Sequence, residues 1–221
     1  VCRALSRNPR SAGPVAAHNA GVGTIYERID GRLRAFIEEQ HVFFTATAPL
    51  SPDGHVNLSP KGLAGSFAVL DETTLAYLDL GGSGAETIAH LRENGRVTLM
   101  WCAFGGPPRI VRVHGTGTPV FRDDPRWAEL LPYFADEMRA RTDLRAVITV
   151  RAERISDSCG FAVPLMEWQG DRPLHTQRFA RETDASFAAY CEKKEQVGAS
   201  LDGLPALPLP LPPLPPGTEG G

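Results

Sequence analysis

The run LDLGGSGAETIAHLRENGRVTLMW, residues 78–101, constrains the fold more than any other part of the chain. Its apolar residues alternate up to Leu80, recur at helical spacing through Ile88 and Leu91, and alternate again from Val97 to Trp101, so strand, helix and strand follow in one run. Glycines at 81, 82 and 84 make the first junction a turn. Ser83, with Glu86 three residues later, has the form of a capping box. It predicts a helix over 84–94 whose first turn presents free backbone N–H groups, a seat for an anion such as phosphate. A capping box with no ligand is the plain alternative. Gly95 stands where a left-handed C-cap would stop that helix.

The rest of the chain reads as mostly β. Thr24 and Glu27 open an expected helix over 24–40, with Ile25, Ile29, Leu33, Phe36 and Ile37 on one face. Short β-rich runs follow at 42–48, 55–60, 66–70 and 74–80, then at 96–104, 109–120 and 146–156. Pro125 begins a helix leading through Trp127 to Phe134, and a last helix is expected over 182–197 around Phe187, Tyr190 and Cys191. Six or more mostly antiparallel strands with few helices predict a mainly β fold, a small barrel with flanking helices. A length of 221 residues with 42% hydrophobic composition fits one domain with a real core, expected over 23–198. Residues 1–22 are expected to be a disordered extension, with Val22 as a second possible start. Residues 199–221 hold too many prolines for helix or ladder and are expected to be a disordered Pro-rich tail, whose polyproline form adaptor domains can bind.

A formal net charge of -3 leaves no surplus of Lys and Arg for a nucleic-acid backbone, so nucleic acid is not an expected partner. No apolar run approaches the roughly 18–20 residues of a membrane span, and the N-terminal stretch has no apolar signal region. Cys2, Cys102, Cys159 and Cys191 form no CxxC pair, so a reducing cytoplasm is expected, with Cys159 a buried structural thiol. His41, His55, His90 and His175 have no metal-ligand spacing, so no metal is expected.

Two further strands carry candidate binding groups. In VNLSPKG, residues 56–62, the period of two puts Asn57, Ser59 and Lys61 on one face. In RIVRVHG, residues 109–115, it puts Arg112 and His114 on one face and Arg109 on the other. Solvated surface polarity is the plain alternative for each.

Together with the run at 78–101, these segments resemble, in order and spacing, the FMN-binding split-barrel family best known from pyridoxamine 5′-phosphate oxidase, over roughly residues 24–181. The resemblance implies a homodimer with FMN in a groove shared by the subunits and a small-molecule redox substrate on the exposed face of the flavin. It implies that Asn57, Ser59 and Lys61 lie beside the flavin, with Lys61 reaching its phosphate, and that the strand of Arg112 and His114 lines the dimer interface and touches the neighbouring subunit's flavin. Ser83, Glu86 and Thr87 fall at the helix entrance. Family members place an Arg-Lys pair on the phosphate there, and this chain has Glu86 and Thr87, which leaves Lys61, Arg112 and backbone amides to hold the anion. Hydride transfer in the family needs no protein nucleophile, since the flavin ring accepts it. The oxidase's C-terminal Trp and Arg-Leu-x-Pro have no counterpart beyond Arg172, Pro173 and Leu174 in scrambled order, so that specific activity is not implied. Relatives of the fold also use deazaflavin or haem. Trp101, Trp127 and Trp168 are expected in core or interface, with Trp168 in a region able to approach the flavin. Two other readings stand beside this one: a non-enzymatic flavin-binding module, and an all-β domain with no cofactor.

Overall fold

The computed structural model describes residues 23–215, so the expected extension at 1–22 and the last residues of the tail lie outside the described part. Eight strands form within it: β1 (Ile25–Tyr26), β2 (Phe43–Thr47), β3 (Asn57–Lys61), β4 (Phe67–Val69), β5 (Thr74–Leu80), β6 (Arg96–Cys102), β7 (Ile110–Phe121) and β8 (Leu144–Ser158). They pair in the order β3-β2-β6-β7-β8-β5-β4, with β1 added to β8, and every pairing is antiparallel. The mainly β split barrel with flanking helices expected from the sequence is what forms.

Chemistry explains the irregular points of the sheet. Gly115 sits at a register shift between β7 and β8, where a Cβ would lie 2.0 Å from the Arg151 carbonyl oxygen, so only glycine allows the approach. Pro60 lies on β3 at the sheet edge, and Pro119 lies beyond Thr116, where β7 has lost its β6 neighbour. On β5 the alternation splits two apolar layers. Leu75 and Tyr77 join a cluster with Leu33, Ile37, Leu99 and Trp101, while Ala76 and Leu78 join Trp127, Leu131 and Phe134. Both faces of β5 are therefore covered, which is why it reads as a near-continuous apolar run.

The helices differ from expectation at their ends. Helix α1 (Gly31–Glu39) is shorter than the expected 24–40, because the Asp30 carboxylate accepts from the amides of Arg32 and Leu33 at 3.0 and 2.8 Å and fixes the start there. Ile25 and Tyr26 pair with β8 instead. Helix α2 (Glu86–Asn94) packs on β2, β6 and β7 and ends on Gly95 at φ 73° as expected. Its start corrects the predicted capping box: the N-cap is Ala85, with no side-chain cap, and Ser83 is exposed on the turn. After α3 (Arg126–Leu130), a 3-10 turn at Leu131–Tyr133 and α4 (Asp136–Arg139), the chain ends in α5 (Leu174–Phe179), α6 (Asp184–Lys193) and α7 (Glu195–Gly198). A capping box of Thr183 and Ser186 starts α6.

The Pro-rich segment is a second correction, as far as residue 215. Residues 199 and 205 form a β-bridge, Ser200 N–H bonds Leu204 O at 2.9 Å, and Ala206, Leu207 and Leu211 are buried. Prolines remove donors, but leucines spaced among them still have apolar surface to bury, and the core offers a place for it. Among the described residues no helix is long and apolar enough to cross a membrane.

Candidate functional site

A cleft of about 860 Å³ opens between β3, the end of β5, the glycine turn at 81–84, the start of α2 and the loop at 168–175. Of the seven residues picked from the sequence, Asn57, Ser59, Lys61, Ser83, Glu86 and Thr87 line it. The alternation of β3 is visible in their half-buried positions, with Leu58 and Pro60 exposed between them. Arg112 does not line the cleft. It lies on β7 and donates to Ser158 Oγ at 3.0 Å, because β7 is separated from β3 by β6 and β2.

A polar chain runs from the cleft into the core. Asn57 Nδ2 donates to Thr47 Oγ1 and Thr87 Oγ1, each at 3.0 Å, and its Oδ1 accepts from Ser59 Oγ at 2.9 Å. Thr47 Oγ1 also meets His90 Nδ1 at 3.0 Å. His90 is buried, and Nε2 makes no hydrogen bond, lying 3.9 Å from the Glu86 carboxylate. Glu86 is also held from outside, since Leu201 N–H donates to it at 2.9 Å. Thr87, accepting from Asn57, keeps its own hydroxyl proton for the cleft.

Sequence reasoning missed the charged centre of the cleft. Arg145 and Asp79, with side chains 4% and 2% exposed, pair at 2.6 Å, and Arg145 Nη1 donates to Gly84 O at 3.0 Å. Lys61 Nζ pairs with the other Asp79 oxygen at 3.6 Å, too far for a hydrogen bond, so the ammonium keeps donor capacity on the cleft wall. Arg172, also on the wall, makes no hydrogen bond or ion pair among the described residues. Three cations and the carboxylates of Asp79, Glu86 and Asp171 line the cleft, so anion binding there depends on placement and not on net charge. The signal was present: Asp79 in LAYLDL and Arg145 in LRAVITV each interrupt an apolar run, and a charge that must be buried needs a partner.

Tyr77, 1% exposed, is on the cleft wall with a hydroxyl that makes no hydrogen bond. Burial, and then the charge of Asp79, pushes its pKa far above the ordinary phenol value against a smaller lowering by the nearby Thr45 hydroxyl, so it remains a donor. Trp168, 53% exposed and so outside the core, stacks on His41 with centroids 3.9 Å apart and planes at 14°. His175 braces the glycine turn: Nε2 donates to Gly81 O at 2.7 Å while Nδ1 accepts from Arg141 Nη2 at 2.9 Å.

On the other side of the sheet, Arg109 is structural. It bonds Asp157 at 2.9 Å and Tyr26 Oη at 3.1 Å and lies over Phe36. Burial would raise the Asp157 pKa, but hydrogen bonds from Tyr26, Arg109 and the Thr24 amide outweigh it and hold the carboxyl below its usual range. His114 bonds Thr98 Oγ1 at 3.0 Å; burial, then Arg154 and Arg112, keeps its pKa low. Arg112 and Arg154 bond serines and, among the described residues, no carboxylate. Cys159 is exposed, contrary to expectation, because the chain leaves the sheet there and Gly160 makes the close packing instead, against the Arg109 backbone.

A family model described as pyridoxamine 5′-phosphate oxidase matches residues 29–159. Among curated proteins, the chain is 39% identical over 197 residues to the pyridoxamine 5′-phosphate oxidase family protein ustO of Aspergillus flavus, covering 82% of this chain and 77% of that one. Solved structures with a similar chain path include an FAD-binding protein from Mesorhizobium loti (TM-score 0.43, 16% identity, 59% of this chain and 95% of that chain). An FMN-binding protein from Nostoc punctiforme aligns with TM-score 0.40 and 12% identity over 53% of this chain and 73% of that one. The haem storage protein HutZ of Vibrio cholerae aligns with TM-score 0.41 and 16% identity over 61% of this chain and 98% of that one. Likeness at this level says nothing about the ligand of this chain.

Proposed function

The chain belongs to the pyridoxamine 5′-phosphate oxidase family, and from that premise we propose that its cleft binds FMN and that the protein moves hydride or electrons between the flavin and a small-molecule substrate. The observation that carries this reading is a buried phenol, Tyr77, which has the Thr45 hydroxyl near it but no partner at hydrogen-bond length among the described residues, on the same wall as Lys61, which pairs with Asp79 at 3.6 Å without a hydrogen bond and so keeps donor capacity. Leaving a buried hydroxyl unpaired costs about 1–3 kcal/mol, and a ligand that accepts from it removes that cost. The donor set fits FMN. Lys61, Arg172 and the amides of the glycine turn would hold the phosphate, Thr87 adds a hydroxyl, and Asn57 and Ser59, fixed by their mutual hydrogen bonds, would orient the ring. Bound flavin supplies a ring that accepts and returns hydride. The residues of the chain bind, orient and exclude water, and none serves as a nucleophile.

The same proposal includes a homodimer in the cytoplasm, in which the Arg112 and His114 face of β7 meets the partner's cleft, since two arginines without carboxylates there suit an anion from outside the subunit. Specific pyridoxamine 5′-phosphate oxidase activity is not part of it. A second reading, a non-enzymatic module for flavin, deazaflavin or haem, is favoured by Glu86 at the helix entrance. The test is a visible absorbance spectrum before and after mixing with FMN and removing the excess. Retained flavin bands, with reoxidation that speeds up when an acceptor is added, support the enzyme. Retained flavin without that dependence supports the module, and absence of any retained colour overturns the flavin reading.

A further inference from the structure

Beside the cleft lies a second cavity of about 290 Å³, and the two share His41, Phe43, Gly62, Leu63, Ser66 and Asp171. Its wall mixes the polar side chains of Glu38, Gln40, His41 and Asp171 with the half-buried Phe67, which is backed by the buried rings of Phe43 and Trp101. Phe43, Phe67 and Trp101 stand with ring centroids 5.2 to 5.6 Å apart in tilted, edge-on and stacked pairs. Aromatic clusters in a core are normally closed by a further side chain, because protein interiors are packed to crystal density and a void forfeits its contacts. Here Phe67 is left half-buried. An apolar cavity of about 150 Å³ already admits a benzene ring, so this one has room for a ring with a substituent.

The partition between cavity and cleft is held in a conformation leucine rarely takes. Leu63 has φ 75°, the left-handed region. Ser66 N–H bonds Leu63 O at 3.2 Å, Ser66 Oγ donates to Gly62 O at 2.9 Å, and Ala64 N–H donates to Asp171 Oδ2 at 2.9 Å. Strain of this kind persists where surrounding bonds over-determine it, and it collects at ligand sites. The bond from Ala64 uses one Asp171 oxygen and leaves acceptor capacity on the other, at the rim shared by both cavities.

We propose that this second cavity is a recognition site for a neutral phenolic ring of the substrate, with the ring against Phe67, which Phe43 and Trp101 hold from behind, and its hydroxyl donating to Asp171. Phe67 favours a ring, and the carboxylate favours a donor and repels an anion. The inference rests on the proposed function for the identity of the adjoining cleft, and binding to the cavity itself can be measured without flavin.

The experiment is calorimetric titration of the full chain with 4-methylphenol, toluene and 4-hydroxybenzoate, with and without FMN. Saturable one-to-one binding of 4-methylphenol is expected, at least tenfold tighter than either of the other two. Phe67→Trp, checked by circular dichroism, should abolish it. Asp171→Asn, at an exposed position, should remove the preference over toluene and the discrimination against the benzoate. Equal binding of all three compounds, no saturable binding, or an Asp171→Asn variant with unchanged selectivity would overturn the site. Displacement of 4-methylphenol by FMN would place it in the cleft and overturn it as well. If FMN itself fails to bind while 4-methylphenol binds selectively, the cofactor reading falls and the cavity stands.

Discussion

Two buried arginines, Arg145 at the cleft and Arg122 at the C-terminal segment, have the same kind of neighbour and opposite surroundings. Arg122 Nε bonds Leu144 O at 2.8 Å, Nη2 bonds Thr142 O at 2.6 Å, and Nη1 reaches Asp184 at 2.5 Å and Pro212 O at 3.2 Å. Asp184 in turn accepts from Leu214 N–H at 3.1 Å. Around Arg145 the pairing with Asp79 is as tight, but Lys61 has no hydrogen bond to it; of the buried polar side-chain atoms without partners among the described residues, those of Thr45, Tyr77 and His90 lie in the half of the molecule that holds the cleft, and Trp127 Nε1 lies in the other apolar cluster. A closed network holds chain to chain. An open one keeps capacity for something else, and the proposed site is placed at Arg145 on that ground.

If that contrast is right, the largest loss of stability comes from the closed network. Arg122→Ala strips three carbonyls and a carboxylate of their donor and should cost about 3 kcal/mol, toward the low end for a buried pair because Asp184 keeps some solvent. Urea unfolding measures it, and a loss under about 1 kcal/mol would remove the distinction. Lys61→Ala should do the reverse: little change in unfolding, and weaker FMN binding by about 1–3 kcal/mol, read by equilibrium titration. An unchanged dissociation constant would take Lys61 out of the site.

The same contrast explains what could be read from the sequence. β5 was legible residue for residue because a short, near-continuous apolar run between turns suits a strand covered on both faces, and Asn57, Ser59 and Lys61 were legible as a set because a period of two survives folding when one face is half-buried. Gly95 was legible because few residues serve at a left-handed C-cap. Ser83 misled, since the capping pattern fits any serine three residues before a glutamate, and here Glu86 binds Leu201 N–H from far along the chain. Arg145 and Asp79 were passed over because their meaning lies in the pairing of β5 with β8, which places Asp79 opposite Ala146. The packing of 199–215 depended on where the core had apolar surface to cover, which no local pattern carries.

A smaller effect is expected at Tyr77. Tyr77→Phe removes a buried hydroxyl that has only the Thr45 hydroxyl near it and no bond of hydrogen-bond length, so the flavin-free protein should be as stable as the parent or more so by up to about 1 kcal/mol, while FMN binding weakens. Unfolding curves with and without FMN separate the two. Destabilisation of the flavin-free protein would mean that the hydroxyl already serves the fold, and the contrast with Arg122 would lose its clearest member.

The C-terminal segment offers the finest test, because a second, exposed anchor holds it. His55 Nδ1 lies 2.7 Å from Asp202 Oδ1, and His55 N–H donates to Asp202 Oδ2 at 2.8 Å. The hydrogen bond to Asp202 raises the imidazole pKa above its ordinary 6.5, and the same contact lowers that of Asp202 below 3.8. The signs fix the window. The raised His55 pKa gives a contribution complete below pH 6.5 and lost as pH climbs through the folded value, and the lowered Asp202 pKa gives one complete above pH 3.8 and lost as pH falls through the folded value. The clasp should therefore be strongest between those limits. Both side chains meet solvent, so the effect is local: amide exchange at Leu201 and Asp202, corrected for intrinsic rates, should be slowest near pH 5 and quicken by pH 8, while amides beside Arg122 show no such change. His55→Gln should flatten the dependence at Leu201. If the two anchors respond to pH alike, the segment moves as one piece, and the exposed clasp adds nothing that the buried arginine does not already fix.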